Sequence, residues 1–247
     1  MARRRDRASA TPPSVPRVAL IDANVFFSPR MRDLVMQLRE LEVIRIHWTK
    51  AIEVEWTRNV IEKQAADPKS IEACLVGMRE ATDGDWEVAG YDKYEKDFDA
   101  VDRKDRHVAA AAYKLSLDDW PGQQVALVTR NIKDFPQKAF NATEVTRYSL
   151  ALYLERLCAE EPDLVPAAIE LCRKKLRKPS YSKADYVAML FKNGCQSLAE
   201  TMAALWNVAC PSLAEDGSLT YDANEMAKKK AAAKVGTGKK GSRALTR

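Results

Sequence analysis

Hydrophobic and polar positions fall into blocks whose period changes once along the chain. Residues 17–21 (RVALI) read as a short buried strand, four apolar residues after Arg17 that stop at Asp22. Ser28 and Pro29 then open a helix on which Leu34, Val35, Leu38 and Leu41 recur at helical spacing. Residues 43–46 predict a second short strand. Thr49 predicts the cap of a helix with Ile52, Trp56, Val60 and Ile61 on one side, and a further amphipathic helix is expected over 68–79. Residues 82–102 are polar, acidic and aromatic and predict no definite element. Asp105 opens an Ala-rich helix carrying Val108, Ala109, Ala111, Ala112 and Leu115. Residues 124–129 (QVALVT) predict a third buried strand, ended by the loop 130–136 (RNIKDFP).

Short apolar strands alternating with helices predict an α/β fold: a central parallel sheet covered by helices, over residues 17–147. After Val145 the period is helical throughout. Residues 148–159, 163–177, 183–193 and 196–208 read as four amphipathic helices, an all-α C-terminal extension over 148–212. Residues 1–16 read as a disordered basic arm. Residues 213–247 read as a disordered basic tail, rich in Lys, Ala and Gly from Lys228 onward.

Charge sharpens this division. The 247 residues sum to +5, yet residues 1–17 hold five Arg against one Asp, and residues 226–247 hold eight basic residues and no acid. The segment between them is therefore acidic, at −7. No apolar run approaches the roughly 20 residues of a membrane helix. Arg3, Arg4 and Arg5 lead into a polar stretch with Pro12, Pro13 and Pro16, which predicts no secretory signal, and Asp6 speaks against a transit peptide. Cys74, Cys158, Cys172, Cys195 and Cys210 are odd in number, widely spaced and without a CxxC pair. They read as reduced thiols of a cytoplasmic protein. The chain has nine glycines and neither a GxGxxG nor a GxxxxGK[ST] pattern, so dinucleotide and P-loop chemistry lack their phosphate cradles.

The candidate chemistry is acidic. Asp22 follows the first strand, Glu55 lies on the helix begun by Thr49, Asp105 starts the Ala-rich helix with Asp102 just before it, and Asp134 follows the third strand. Open α/β sheets place ligands at the carboxyl ends of their strands, so these acids are expected to converge on one cleft. Taken singly, each has a plain structural reading: a turn for Asp22 and Asp134, a solvated helix face for Glu55, a cap for Asp105. Clustered carboxylates raise one another's pKa values unless a cation sits among them. Oxygen donors suit Mg²⁺ or Mn²⁺, and the two histidines, His47 and His107, are too few for a His-rich zinc site.

Four segments carry a family resemblance: VALIDANVFFS (18–28), HWTKAIEVEWTRNVI (47–61), DRKDRHVAAAAYK (102–114) and VALVTRNIKDFP (125–136). In order and spacing they resemble PIN-domain ribonucleases, especially VapC-like toxins of bacterial toxin–antitoxin pairs. The segment 175–205 is similar to the C-terminal extension of one PIN subgroup. The resemblance implies a PIN-like α/β/α sandwich and a Mg²⁺- or Mn²⁺-dependent endoribonuclease that cuts single-stranded RNA. It implies Asp22, Glu55, Asp105 and Asp134 as catalytic acids, with Asp22 and Asp105 most directly on the metal and Glu53 as the other register for the helix acid. Asn24, Thr129, Asn131 and Asp102 would support them. Many PIN domains carry an acid where this chain has Asn131, so either Asn131 or Asp134 fills the fourth position. The resemblance also implies a cognate antitoxin and a homodimer as partners. Arg106, Arg130 and Lys133 flank the acids and are expected to neutralise RNA phosphates. A second basic run, Arg173, Lys174, Lys175, Arg177 and Lys178, reads either as more RNA surface or as a solvated helix face, and Trp48 and Trp56 either stack bases or pack in the core. Two other functions fit parts of the pattern: a haloacid dehalogenase-like phosphatase, whose opening motif wants an Asp where this chain has Asn24, and a non-catalytic RNA-binding PIN-like module.

Overall fold

A computed structural model describes residues 14–221. The arm and tail proper, residues 1–13 and 222–247, lie outside the described residues. The first strand, β1 (Val18–Ile21), is buried at every position. The short helix α1 (Ala23–Phe26) and then α2 (Pro29–Glu40) lead to β2 (Arg45–His47), one to two residues later than the apolar run suggested. Helix α3 (Lys50–Gln64) starts at Thr49, whose Oγ1 accepts a hydrogen bond from the Ile52 N–H, and α4 (Pro68–Glu80) follows. The ambiguous stretch 82–102 holds a 3₁₀ helix, Asp92–Phe98. Upstream of it, the Trp48 N–H donates to the Trp86 carbonyl and the Val88 N–H donates to the Trp48 carbonyl, a parallel bridge just past the end of β2. Helix α5 (Arg106–Lys114) runs into a π-helical turn, Leu115–Asp119, before β3 (Val125–Thr129), which is again fully buried.

A fourth strand, β4 (Val145–Ser149), stands where a helical period was expected to begin. Its sequence VTRYS hides only Val145 completely, so it lacks the apolar run that marked the other strands. The reason is position: β4 is an edge strand. The sheet is wholly parallel in the order β2-β1-β3-β4 and is flanked by helices. From β1 the chain crosses to one side, and from β3 it crosses to the other. The adjacent carboxyl ends of β1 and β3 therefore border the crevice where such sheets bind ligands.

The four C-terminal helices form as expected: α6 (Leu150–Glu160), α7 (Leu164–Lys175), α8 (Lys183–Lys192) and α9 (Gln196–Trp206). They are not held apart from the sheet. Helix α6 packs on β3 and β4 and α7 packs on α2, and their apolar residues belong to the same core as β1 and β3. Two structured pieces lie in segments read as disordered. Val15 is buried, and the carbonyl of Pro16 accepts a 2.8 Å bond from Tyr153 OH. A small hairpin pairs β5 (Ser212–Leu213) with β6 (Leu219–Thr220). No two cysteines are joined in a disulfide among the described residues. No helix among the described residues is long and apolar enough to cross a membrane.

Candidate active site

Asp22 is the first residue past β1, and its N–H still bonds to the Val128 carbonyl at 3.0 Å, which fixes it beside the end of β3. Its side chain is 6% exposed. Thr129 Oγ1 donates to Asp22 Oδ2 at 2.7 Å, and Asn24 Nδ2 donates to the same oxygen at 2.5 Å. Thr129 Oγ1 accepts in turn from Asn24 Nδ2 at 3.0 Å and from the Asn131 N–H at 3.0 Å. The Arg130 N–H donates to Asn24 Oδ1 at 2.8 Å. The expected supporting roles of Asn24 and Thr129 thus have a geometric content: they lock one rotamer of Asp22. Burial pushes the Asp22 carboxyl up to about 6, with Glu55 and Asp105 adding to the rise and the Thr129 bond opposing it.

Asp22, Asn24, Glu55, Asp105, Asn131, Asp134 and Arg130 all line one cleft of about 760 Å³. The acids arrive from four separate elements, and the capping reading fails for Asp105. Asp105 occupies the N-cap position of α5, yet its side chain caps nothing. Its Oδ2 is buried without a hydrogen-bond partner, and Lys104 Nζ stands 3.5 Å from it. Burial raises the Asp105 carboxyl above its ordinary range against the pull of Lys104, and Asp134 and Asp102 add to the rise. Asp134 ends a 3₁₀ turn, Ile132–Asp134, facing the cleft. Its Oδ2 accepts from the Asn131 amide and from Lys104 Nζ, the latter at 3.4 Å. The two residues open for the fourth position, Asn131 and Asp134, both line the cleft, and the Asn131 amide donates to the Asp134 carboxylate.

The register of α3 separates its two candidate glutamates. Glu53 is buried and accepts from Trp48 Nε1 at 2.9 Å and from Arg79 Nε at 2.9 Å, with a second bond from the same guanidinium. It ties α3 to α4 and is not free for a site. Glu55, two positions on, turns to the cleft.

Three expected site residues are not brought in. Asp102 is exposed, and its Oδ1 accepts from the Lys104 N–H at 3.1 Å, which makes it a turn residue. Arg106 is turned back by a 2.8 Å ion pair with Asp99 and by bonds to the Val101 and Asp99 carbonyls. Lys133 is exposed on the turn and does not line the cleft. The basic run on α7 is engaged with protein: Arg173 and Lys174 pair with Glu170, and Lys175 pairs with Glu40. Trp48 and Trp56 are buried against Phe26 and are core residues. His47 is buried outside the cleft, and burial holds its pKa below the usual value.

Other lining residues had not been singled out. Asn59 and Lys63 follow Glu55 at intervals of four on the same face of α3, a period that could have found them. Lys104 is the cation placed among the acids. Asn193, just past α8, has no local signal: its Oδ1 accepts from Ser28 Oγ at 2.9 Å and from Arg130 Nη1 at 3.3 Å, which brings the C-terminal helices to the rim of the cleft.

In kind, these donors suit a hard divalent cation: carboxylates and amides, with no His or Cys lining the cleft. The orphaned Asp105 Oδ2 is a buried acceptor waiting for positive charge, and Lys104 now supplies part of it. Among the described residues, no three His, Cys, Asp or Glu side chains are gathered closely enough to hold one ion. No protein-family model, no curated protein and no solved structure matches the chain.

Proposed function

We propose that this protein is a PIN-like, Mg²⁺- or Mn²⁺-dependent endoribonuclease that hydrolyses RNA phosphodiesters. The observation that carries the reading is the convergence of Asp22, Glu55, Asp105 and Asp134, from four elements, on one cleft at the β1/β3 crevice. A purely capping Asp105 would bond the first turn of its helix, and its side chain makes no such bond: its buried Oδ2 has no hydrogen-bond donor and only Lys104 as counter-charge, 3.5 Å away.

Asp22 and Asp105 would hold the cation, with Glu55 and Asp134 holding water around it. When bound, such a cation lowers the pKa of water and offsets the charge that develops on a phosphoryl group. Thr129 and Asn24 keep Asp22 aimed, so that no side-chain freedom is lost as the substrate arrives. Binding the cation would also favour the ionised form of Asp22, against the burial that raises its pKa. Arg130, Lys63 and Lys104 border the acids and would neutralise the phosphates on either side. Hydrolysis in line would leave a 5′-phosphate and a 3′-hydroxyl.

The resemblance to VapC-like proteins extends the proposal to a toxin held by a small antitoxin, with a homodimer as its assembly. The haloacid dehalogenase-like alternative is disfavoured by Asn24, whose amide is committed to Asp22, Thr129 and the Arg130 backbone and has no proton to transfer. A cleavage assay on single-stranded and structured RNAs tests the reading. Cleavage in Mg²⁺ or Mn²⁺ should stop in EDTA and in Asp22→Asn and Asp105→Asn. Equal cleavage by both variants would reject it, and RNA binding without cleavage by the unmodified chain would favour the non-catalytic module.

A further inference from the structure

Beside the cleft lies a second groove of about 520 Å³, between the first half of α3 and the start of α5. Glu55, Lys104 and Asp105 line both, so the two form one trough with the acids at its middle. Helix α3 is the shared wall. Lys50, Val54 and Arg58, at intervals of four, face the second groove, while Asn59 and Lys63 face the first. From Lys50 to Lys63 this wall runs about 20 Å at 1.5 Å per residue. It presents cations toward both ends and Glu55 between them.

The cations of the second groove are not equally committed. Lys50 Nζ lies 3.3 Å from Glu87, and Lys104 is shared by Asp105 and Asp134. The Arg58 side chain is exposed and has no ion pair or hydrogen bond among the described residues. Next to it Val54 is 64% exposed, apolar surface one helical turn away. His107 completes the wall, with a buried Nε2 that has no partner. A free guanidinium, an uncovered apolar side chain and an unsatisfied imidazole nitrogen, in a trough continuous with the acids, match a ligand that alternates phosphate with flat apolar rings. The groove's only repelling groups, Glu55 and Asp105, are those a bound cation would offset.

We propose that this groove is a second substrate site, which holds single-stranded RNA on the far side of the acids with Arg58 on a phosphate. The identity of the strand rests on the ribonuclease reading. Held in both arms of the trough, a strand would pass over the acids in mid-chain and be cut internally.

The test is fluorescence anisotropy of a labelled, mixed-sequence RNA of about 20 nucleotides. It is titrated with the full chain carrying Asp22→Asn in Mg²⁺, so that binding is read without cleavage. Adding Arg58→Glu should weaken binding about tenfold or more, and Arg58→Ala should reduce the log–log salt slope by about 0.7, one single-strand phosphate contact. Lys50→Glu is a second, independent reversal in the same groove and should act in the same direction. Both residues are exposed, so melting temperatures should stay unchanged. Binding and salt slope equal to the parent's in all three variants would overturn the proposal, as would a parent that binds no RNA. The function reading fails separately, by absence of cleavage from the chain with native Asp22. Loss of binding in the reversals would then still support the groove as an RNA site.

Discussion

Thr129 donates a 2.7 Å hydrogen bond to Asp22 Oδ2, joining two residues 107 positions apart at the ends of neighbouring parallel strands. The bond is buried and its acceptor is a carboxylate, the class of hydrogen bond that contributes most to stability. It also opposes the burial that raises the Asp22 pKa.

Thr129→Val keeps the shape of the side chain and removes that donor, together with the acceptor used by Asn24 and the Asn131 N–H. The variant should lose about 1–3 kcal/mol of stability, seen in denaturant unfolding. The acidic limb of its pH–rate profile should move to higher pH, because Asp22 loses the bond that favours its ionised form. Thr129→Ser restores the hydroxyl and should restore both readouts.

Asp22 titrates near 6 in the folded chain against 3.8 for a free carboxyl. Between those values the native state holds more protons than the unfolded state, so this group favours folding below about pH 4 and its contribution is lost as pH rises through about 6. The loss above pH 6 is of the order of 3 kcal/mol in the absence of divalent cations. Asp22→Asn should therefore melt at a higher temperature than the unmodified chain at pH 7.5 in EDTA, with the gap closing by pH 4. Saturating Mg²⁺ or Mn²⁺ should raise the melting temperature of the unmodified chain and not of the variant.

Glu53 and Glu55 should part company under the same substitution. Glu53→Gln removes the charge that pairs with Arg79 and one of the two oxygens its guanidinium uses, while the amide oxygen can still accept from Trp48, and should cost about 1–3 kcal/mol while the folded fraction still cleaves. Glu55→Gln should leave stability within about 0.5 kcal/mol of the parent, since the Glu55 side chain faces the cleft and not the core, and should depress cleavage at least tenfold. Thermal melts and single-turnover rates on the same preparations separate the two.

Asn193→Ala removes the acceptor shared by Ser28 and Arg130. It should raise KM for RNA several-fold with a smaller effect on kcat, since Arg130 borders the acids without being one of them. The stability cost should stay near 1 kcal/mol.

Much of this arrangement could be read along the chain because burial leaves a local signature. Strands β1 and β3 are covered on both faces and so are apolar at every position but the last of β3, Thr129, and the acids that follow them are marked by where the runs stop. The four C-terminal helices each carry a helical period of their own. Strand β4 was missed for the converse reason: an edge strand with only Val145 fully buried has no run to find. The hairpin pairing Ser212–Leu213 with Leu219–Thr220 was missed because two-residue strands leave no period.

By itself the sequence determined the α/β class, the parallel sheet and most element positions, since each follows from the chemistry of neighbouring residues, and it named the acids only as candidates. Tertiary structure decided what no local pattern encodes: which acids face the same space. Asp102 and Asp105 lie three apart, yet one closes a turn and the other is buried beside Lys104. Glu53 and Glu55 lie two apart on one helix, yet one anchors Arg79 and the other lines the cleft. Arg106 looked as well placed as Arg130 until Asp99 took its guanidinium. Rotation about a helix axis and competition between ion partners made these choices, and both depend on residues far away in the chain.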